Sequence, residues 1–149
     1  RHWYIDTTGK IVPHTSISML DDSNGLTAKI NTGFKDIVIK KDNTVIANGT
    51  VITSSSAFNL KIDSINGVST FGTTPVIKWY FDNQLVPEIG ANAADFPTGV
   101  SYTNSNNKNG LKITPSALSP GVYDIYLKVT YGGDDNDIPY TFAAQFKKN

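Results

Sequence analysis

The run Ile77-Lys78-Trp79-Tyr80-Phe81-Asp82-Asn83-Gln84-Leu85-Val86 carries the fold of this chain. Its counterpart is Leu111-Lys112-Ile113-Thr114-Pro115-Ser116-Ala117-Leu118-Ser119-Pro120-Gly121-Val122-Tyr123-Asp124-Ile125-Tyr126-Leu127-Lys128-Val129. In the first run Ile77, Trp79 and Phe81 alternate with Lys78 and Tyr80, the period of two that makes a strand with one apolar face. Asp82-Asn83 then supplies a turn. The second run reads as a strand, a bend at Pro120-Gly121, and a strand opened by Tyr123. There Tyr123, Ile125, Leu127 and Val129 oppose Asp124, Tyr126 and Lys128.

Outward from these runs the same grammar repeats. Strands are predicted over 36–41, 44–52, 58–65, 75–82, 100–103, 110–114, 122–131 and 138–147. Phe58, Leu60 and Ile62 share a face against Asn59, Lys61 and Asp63, and the last strand aligns Tyr140, Phe142, Ala144 and Phe146. One apolar and one polar face per strand predicts an all-β fold, two antiparallel sheets packed as a sandwich. No window holds a helical apolar period for three turns, and residues 91–95 offer one helical turn before Pro97. Residues 1–33 read as an N-terminal β-hairpin arm, a linker or the end of a preceding domain, with 34–149 as the sandwich. The arm holds Trp3-Tyr4-Ile5, a turn at Thr8-Gly9, and Asn24-Gly25 between two apolar runs, a hairpin signal. Its alternative is a set of extra edge strands.

The length of 149 residues suits one domain with its own core. The formal charge is zero, so there is no basic stripe for phosphates and nucleic acid is not expected as a partner. Cysteine is absent, which removes disulfides, thiol chemistry and cysteine-based zinc sites. No apolar run reaches membrane-spanning length, so membrane insertion is not expected either. The chain opens on Arg1 and not on Met, as a fragment or processed product would, so an export signal or anchor is free to lie outside it.

Trp79-Tyr80-x-Asp82-Asn83 with Leu85, Leu111-x-Ile113, and Gly121-x-Tyr123-x-Ile125 together resemble the immunoglobulin superfamily, nearest its I-set pattern. Asn83 stands where that pattern has Gly. Ile125 stands at the second cysteine, and Leu60 or Ile62 at the first. The resemblance covers about residues 36–149. It implies an immunoglobulin-like sandwich in which an aliphatic pair replaces the bridge under Trp79, and in which the Tyr123 hydroxyl returns to nearby backbone. The connections at 66–74 and 88–99 are longer than the pattern expects. Cysteine-free domains of this kind are similar to modules of phage tail and capsid proteins and of bacterial surface proteins, which implies adhesion, glycan binding or a spacer role.

The search for chemistry favours binding over catalysis. His2 and His14 both lie in the arm, and proximity of His14 to Ser16, Asp21 and Asp22 in sequence does not lock a triad. Glu88 is the only glutamate, and the acids Asp63, Glu88, Asp95 and Asp124 are scattered, so no carboxylate pair across a cleft is indicated. Asp134, Asp135 and Asp137, around Asn136, are hard oxygen donors of the kind calcium takes, or else a solvated hairpin tip. Asn48-Gly49-Thr50 matches a glycosylation sequon, meaningful only in a eukaryotic secreted protein. The stronger signal is aromatic. With Trp79 and Tyr123 inward, alternation sends Tyr80 and Tyr126 outward beside Lys78 and Lys128. These four form a face suited to sugar rings or a protein partner, or they pack across strands and only stabilise the sheet, or the N-terminal arm covers them. Phe71, Phe96 and Tyr102 in loops mark a second patch at one end.

The expectation is a non-catalytic attachment module of a phage virion or bacterial surface protein. It would recognise a cell-surface polysaccharide or protein partner and be displayed in multiple copies. A structural spacer and an accessory carbohydrate-binding module of a secreted enzyme are the alternatives.

Overall fold

The structure is a computed structural model that describes residues 36–66, 74–131 and 139–149 fully and the backbone of 2–5 and 11–14. β1 (His2–Ile5) and β2 (Ile11–His14) pair antiparallel as a two-stranded sheet of their own. The expected turns at Thr8-Gly9 and Asn24-Gly25 both lie outside the described residues.

Among the described residues ten strands build the sandwich. They are β3 (Asp36–Lys41), β4 (Thr44–Ile46), β5 (Val51–Ile52), β6 (Phe58–Asn66), β7 (Pro75–Phe81), β8 (Gln84–Leu85), β9 (Val100–Tyr102), β10 (Gly110–Ile113), β11 (Gly121–Tyr131) and β12 (Tyr140–Lys148). The first sheet runs β4-β3-β6-β10-β9 and the second β5-β12-β11-β7-β8. Among the described residues all pairings are antiparallel except β5 on β12. Single turns of 3-10 helix occur at Ala93–Asp95, where a helical turn is predicted, and at Pro115–Ala117.

The inward rows follow the alternation. Trp79, Leu60, Leu111, Ile113, Leu127, Val129 and Phe146 are completely buried, and Phe58, Phe81 and Ile125 nearly so. Between the two positions offered for the first cysteine, Leu60 is fully buried while Ile62 lies at the core margin. Each large buried side chain contributes roughly 1.5–3 kcal/mol, so no bridge is needed to hold the layers. Phe81 stacks on Tyr123 (5.4 Å between centroids, 13° between planes), and Phe58 meets Phe146 at 5.3 Å. The Tyr123 hydroxyl donates to the Ser119 carbonyl at 2.6 Å, fixing the bend at Pro120-Gly121 as predicted.

Two local predictions need correction. The predicted strand over 44–52 is two strands in two sheets. At the break, Gly49 takes φ +86°, and its N–H donates to the Ala143 carbonyl at 2.7 Å. The Asn48 side-chain oxygen accepts from Ala143 N–H at 2.7 Å. The sequon asparagine therefore splices the chain from one sheet to the other. Beyond Phe81 a further edge strand, β8, is formed. Asp82 (φ +51°) and Asn83 (φ +64°) make a two-residue turn of the mirror-image type, which matches strand twist and favours Asn and Asp.

Candidate functional site

The outer face of the second sheet assembles the four residues singled out in sequence. The β7–β11 register sets Tyr80 opposite Tyr126 and Lys78 opposite Lys128. The two tyrosine rings touch, 5.7 Å between centroids and tilted by 56°. Tyr126 is 38% exposed and Tyr80 is partly buried. Leu85 on β8 pairs with Tyr80 and Ala143 on β12 pairs with Tyr126. A row Leu85–Tyr80–Tyr126–Ala143 therefore crosses four strands, with Leu85 47% exposed at its end. Lys78 is exposed and Lys128 partly buried. Cross-strand packing and an exposed apolar ridge are thus both present. Leu85 adds to the ridge without having been flagged in sequence, because its position depends on the turn at Asp82-Asn83 folding it back beside Tyr80.

A second feature lies at the free edge of the first sheet. Phe96 and Tyr102 meet edge to face (5.7 Å, 82°), Phe96 from its loop and Tyr102 from the end of β9 and not from a loop as expected, while Phe71 lies outside the described residues. They line a pocket of about 320 Å³ together with Ile89, Ala91, Ala93 and Val100. The Tyr102 hydroxyl donates to the Pro87 carbonyl at 2.7 Å. Burial, then the nearby Glu88 charge, pushes its pKa up to about 12, so this phenol keeps its proton. Both Glu88 oxygens accept from Lys108 Nζ at 2.7 Å. The Lys108 carbonyl in turn accepts from the Trp79 indole N–H at 2.7 Å. The loop at 103–109 is therefore pinned to the core through Trp79 and to the 88–99 connection through its lysine. Sequence reasoning missed this chain because a backbone carbonyl leaves no residue-type signal. The residues lining the pocket include no carboxylate or imidazole to activate its serines.

Asp134, Asp135 and Asp137 lie outside the described residues. Among the described residues no group of three His, Cys, Asp or Glu side chains is placed to hold a metal ion. No family model and no curated protein matches this sequence.

Proposed function

We propose that this chain is a non-catalytic attachment module whose contact surface is the outer face of the second sheet. The observation that carries the reading is the ridge Leu85–Tyr80–Tyr126–Ala143. It places two mutually supported aromatic rings and an exposed leucine on one face of a sheet beside a lysine pair. Rigid tyrosines contribute contact area at small entropic cost and keep a hydroxyl for hydrogen bonding, which suits a sugar polymer or a protein surface. Weak single contacts become firm when a module is displayed in many copies.

The immunoglobulin-like resemblance points the same way. Its support is the order β3-β6-β10-β9 facing β12-β11-β7, with Trp79 buried on β7 and the Tyr123 corner leading into β11. Modules of that kind sit on phage virions and bacterial surfaces, and we place this chain there. Fold likeness supplies only the setting, and the site supplies the function.

The test is binding of a labelled, tetramerised domain to intact Gram-positive cells and to purified wall polysaccharide, with calcium and with chelator. Saturable binding lost in Tyr80→Ala/Tyr126→Ala, with the circular dichroism spectrum unchanged, is the expected result. Binding abolished by chelator alone would move the site to Asp134, Asp135 and Asp137. Absence of binding under every condition would leave the spacer as the working function.

A further inference from the structure

The tyrosine ridge is bracketed by charges in an order that the ridge itself does not require. Along β7 the alternating positions are Lys78, Tyr80 and, in the turn that follows, Asp82. Along antiparallel β11 they are Lys128, Tyr126 and Asp124. The register sets like against like: Lys78 opposite Lys128 and Tyr80 opposite Tyr126. The ladder continues one step further, since the Asp82 N–H donates to the Asp124 carbonyl at 2.7 Å. The face therefore reads lysine row, tyrosine row, aspartate row.

Within one copy, both charged rows work against the sheet. Like charges directly opposite each other on a sheet face are destabilising. Among the described residues neither Lys78 nor Lys128 has an ion pair, whereas Lys40, Lys41 and Lys108 each meet a carboxylate. Among the described residues the Asp124 carboxylate accepts only from the Gln145 amide, at 2.9 Å, and Asp82 is exposed without a cation. A row of positive charge and a row of negative charge thus stand at equal distance on either side of an apolar row. Lys78, Lys128 and Asp124 are each two residues from their tyrosine along the strands, about 6.6–6.8 Å, and Asp82, in the turn, is held level with Asp124 by its N–H bond to that carbonyl.

We propose that the partner of this face is a second copy of this chain. The copies dock face to face about a two-fold axis that runs across the strands, along the Tyr80–Tyr126 row. Half a turn about that axis reverses strand direction and leaves the order of strands unchanged. The tyrosine row then falls on itself, and the lysine row falls on the aspartate row. Lys78 lies over Asp82 of the second copy and Lys128 over Asp124 of the second copy, and by symmetry the reverse. Because the two charged rows are equally spaced from the axis, every pair is satisfied at once, as an isologous contact requires. Facing sheets pack about 10 Å apart, which leaves room for tyrosine and lysine side chains between them. Leu85 and Ala143, at the ends of the ridge, meet their own equivalents. The zero net charge of the chain removes long-range repulsion between copies. This inference rests on the outer face being the contact surface and takes the protein-partner form of that reading: the face is covered by a second copy, so cell binding through the same tyrosines counts against it.

The experiment is sedimentation velocity on the full chain over a wide concentration range, with Lys128→Asp and Asp124→Lys made separately and then mixed. Wild type is expected to self-associate. Each variant alone sets like charge over like charge across the axis, so its association weakens on the order of tenfold or more. An equimolar mixture restores Lys over Asp and recovers the dimer. Recovery on mixing also shows that neither variant had misfolded. Wild type that stays monomeric at millimolar concentration, association indifferent to both variants, or a mixture that fails to recover would each overturn the proposal. A monomer that still binds cells through Tyr80 and Tyr126 overturns the second copy and leaves the contact face standing. A monomer that binds nothing overturns both.

Discussion

Trp79 and Tyr80 are neighbours in the chain that the sheet sends to opposite sides, and their substitution separates stability from binding. Trp79 is completely buried and its indole N–H donates to the Lys108 carbonyl at 2.7 Å. Trp79→Phe removes the second ring and that donor. The lost packing and residual cavity cost about 1–3 kcal/mol. The carbonyl left without its donor costs about another 1–2 kcal/mol. The sum, roughly 2–5 kcal/mol, is a large share of the 5–15 kcal/mol typical of a domain. Urea denaturation followed by far-ultraviolet circular dichroism is expected to show a lower midpoint with an unchanged slope. Hydrogen exchange is expected to speed up in the 103–109 loop, which that bond pins. Binding by the protein that remains folded is expected to be unchanged. Tyr80→Ala is expected to do the reverse: a stability loss of about 1 kcal/mol from the lost ring contact with Tyr126, and loss of the ridge. A Trp79→Phe cost below about 1 kcal/mol with unaltered loop exchange would refute the anchoring role. Binding that Trp79→Phe abolishes and Tyr80→Ala spares would refute the assignment of faces.

Tyr102 has its pKa pushed from 10.0 to about 12, first by burial and then by Glu88. The unfolded chain therefore gives up this proton first, so stability is full below pH 10, falls as pH rises toward 12, and levels off above it. Two pKa steps correspond to at most about 2.7 kcal/mol, and partial solvent exposure reduces this to about 1 kcal/mol. Tyr140, raised by burial and by Asp36, acts in the same direction. Tyr102→Phe should flatten the alkaline decline in urea midpoint without abolishing it, and an unchanged slope would contradict the assignment. Gly99 has φ +76°, and a Cβ there would sit 3.0 Å from the Thr114 carbonyl oxygen and 3.2 Å from Leu118 Cγ. Gly99→Ala is expected to cost about 2–4 kcal/mol. Gly49→Ala, at φ +86° with no atom within 4 Å, should cost only the backbone strain, about 1–2 kcal/mol; equal thermal shifts would refute the steric argument. Tyr123→Phe keeps its stack on Phe81 but loses the 2.6 Å bond to Ser119, an expected loss of about 1 kcal/mol in the same assay.

The alternation around Trp79 and Tyr123 was enough to predict the two-layer architecture and its inward rows, because side chains of a strand can only point to one face or the other. The same rule sent Lys78, Tyr80, Tyr126 and Lys128 outward. The bend at Tyr123 was legible too, since its partner lies four residues away. Other features depend on groups that meet only after folding. Asn48 and Gly49 reach Ala143, 95 residues along the chain from Asn48, and that contact splits the predicted 44–52 strand between the sheets. The Lys108 carbonyl that holds Trp79 is 29 residues from it and carries no side-chain signature.

By itself, then, the sequence determined which residues face inward and which outward, a local property of period two. The tertiary structure alone decided which outward residues stand side by side. Lysine faces lysine, tyrosine faces tyrosine and aspartate adjoins aspartate because β7 and β11 pair in one register. A slip of that pairing by one residue would turn the buried row outward, so the free energy of burying Trp79, Leu127 and their neighbours fixes the pattern on the opposite face.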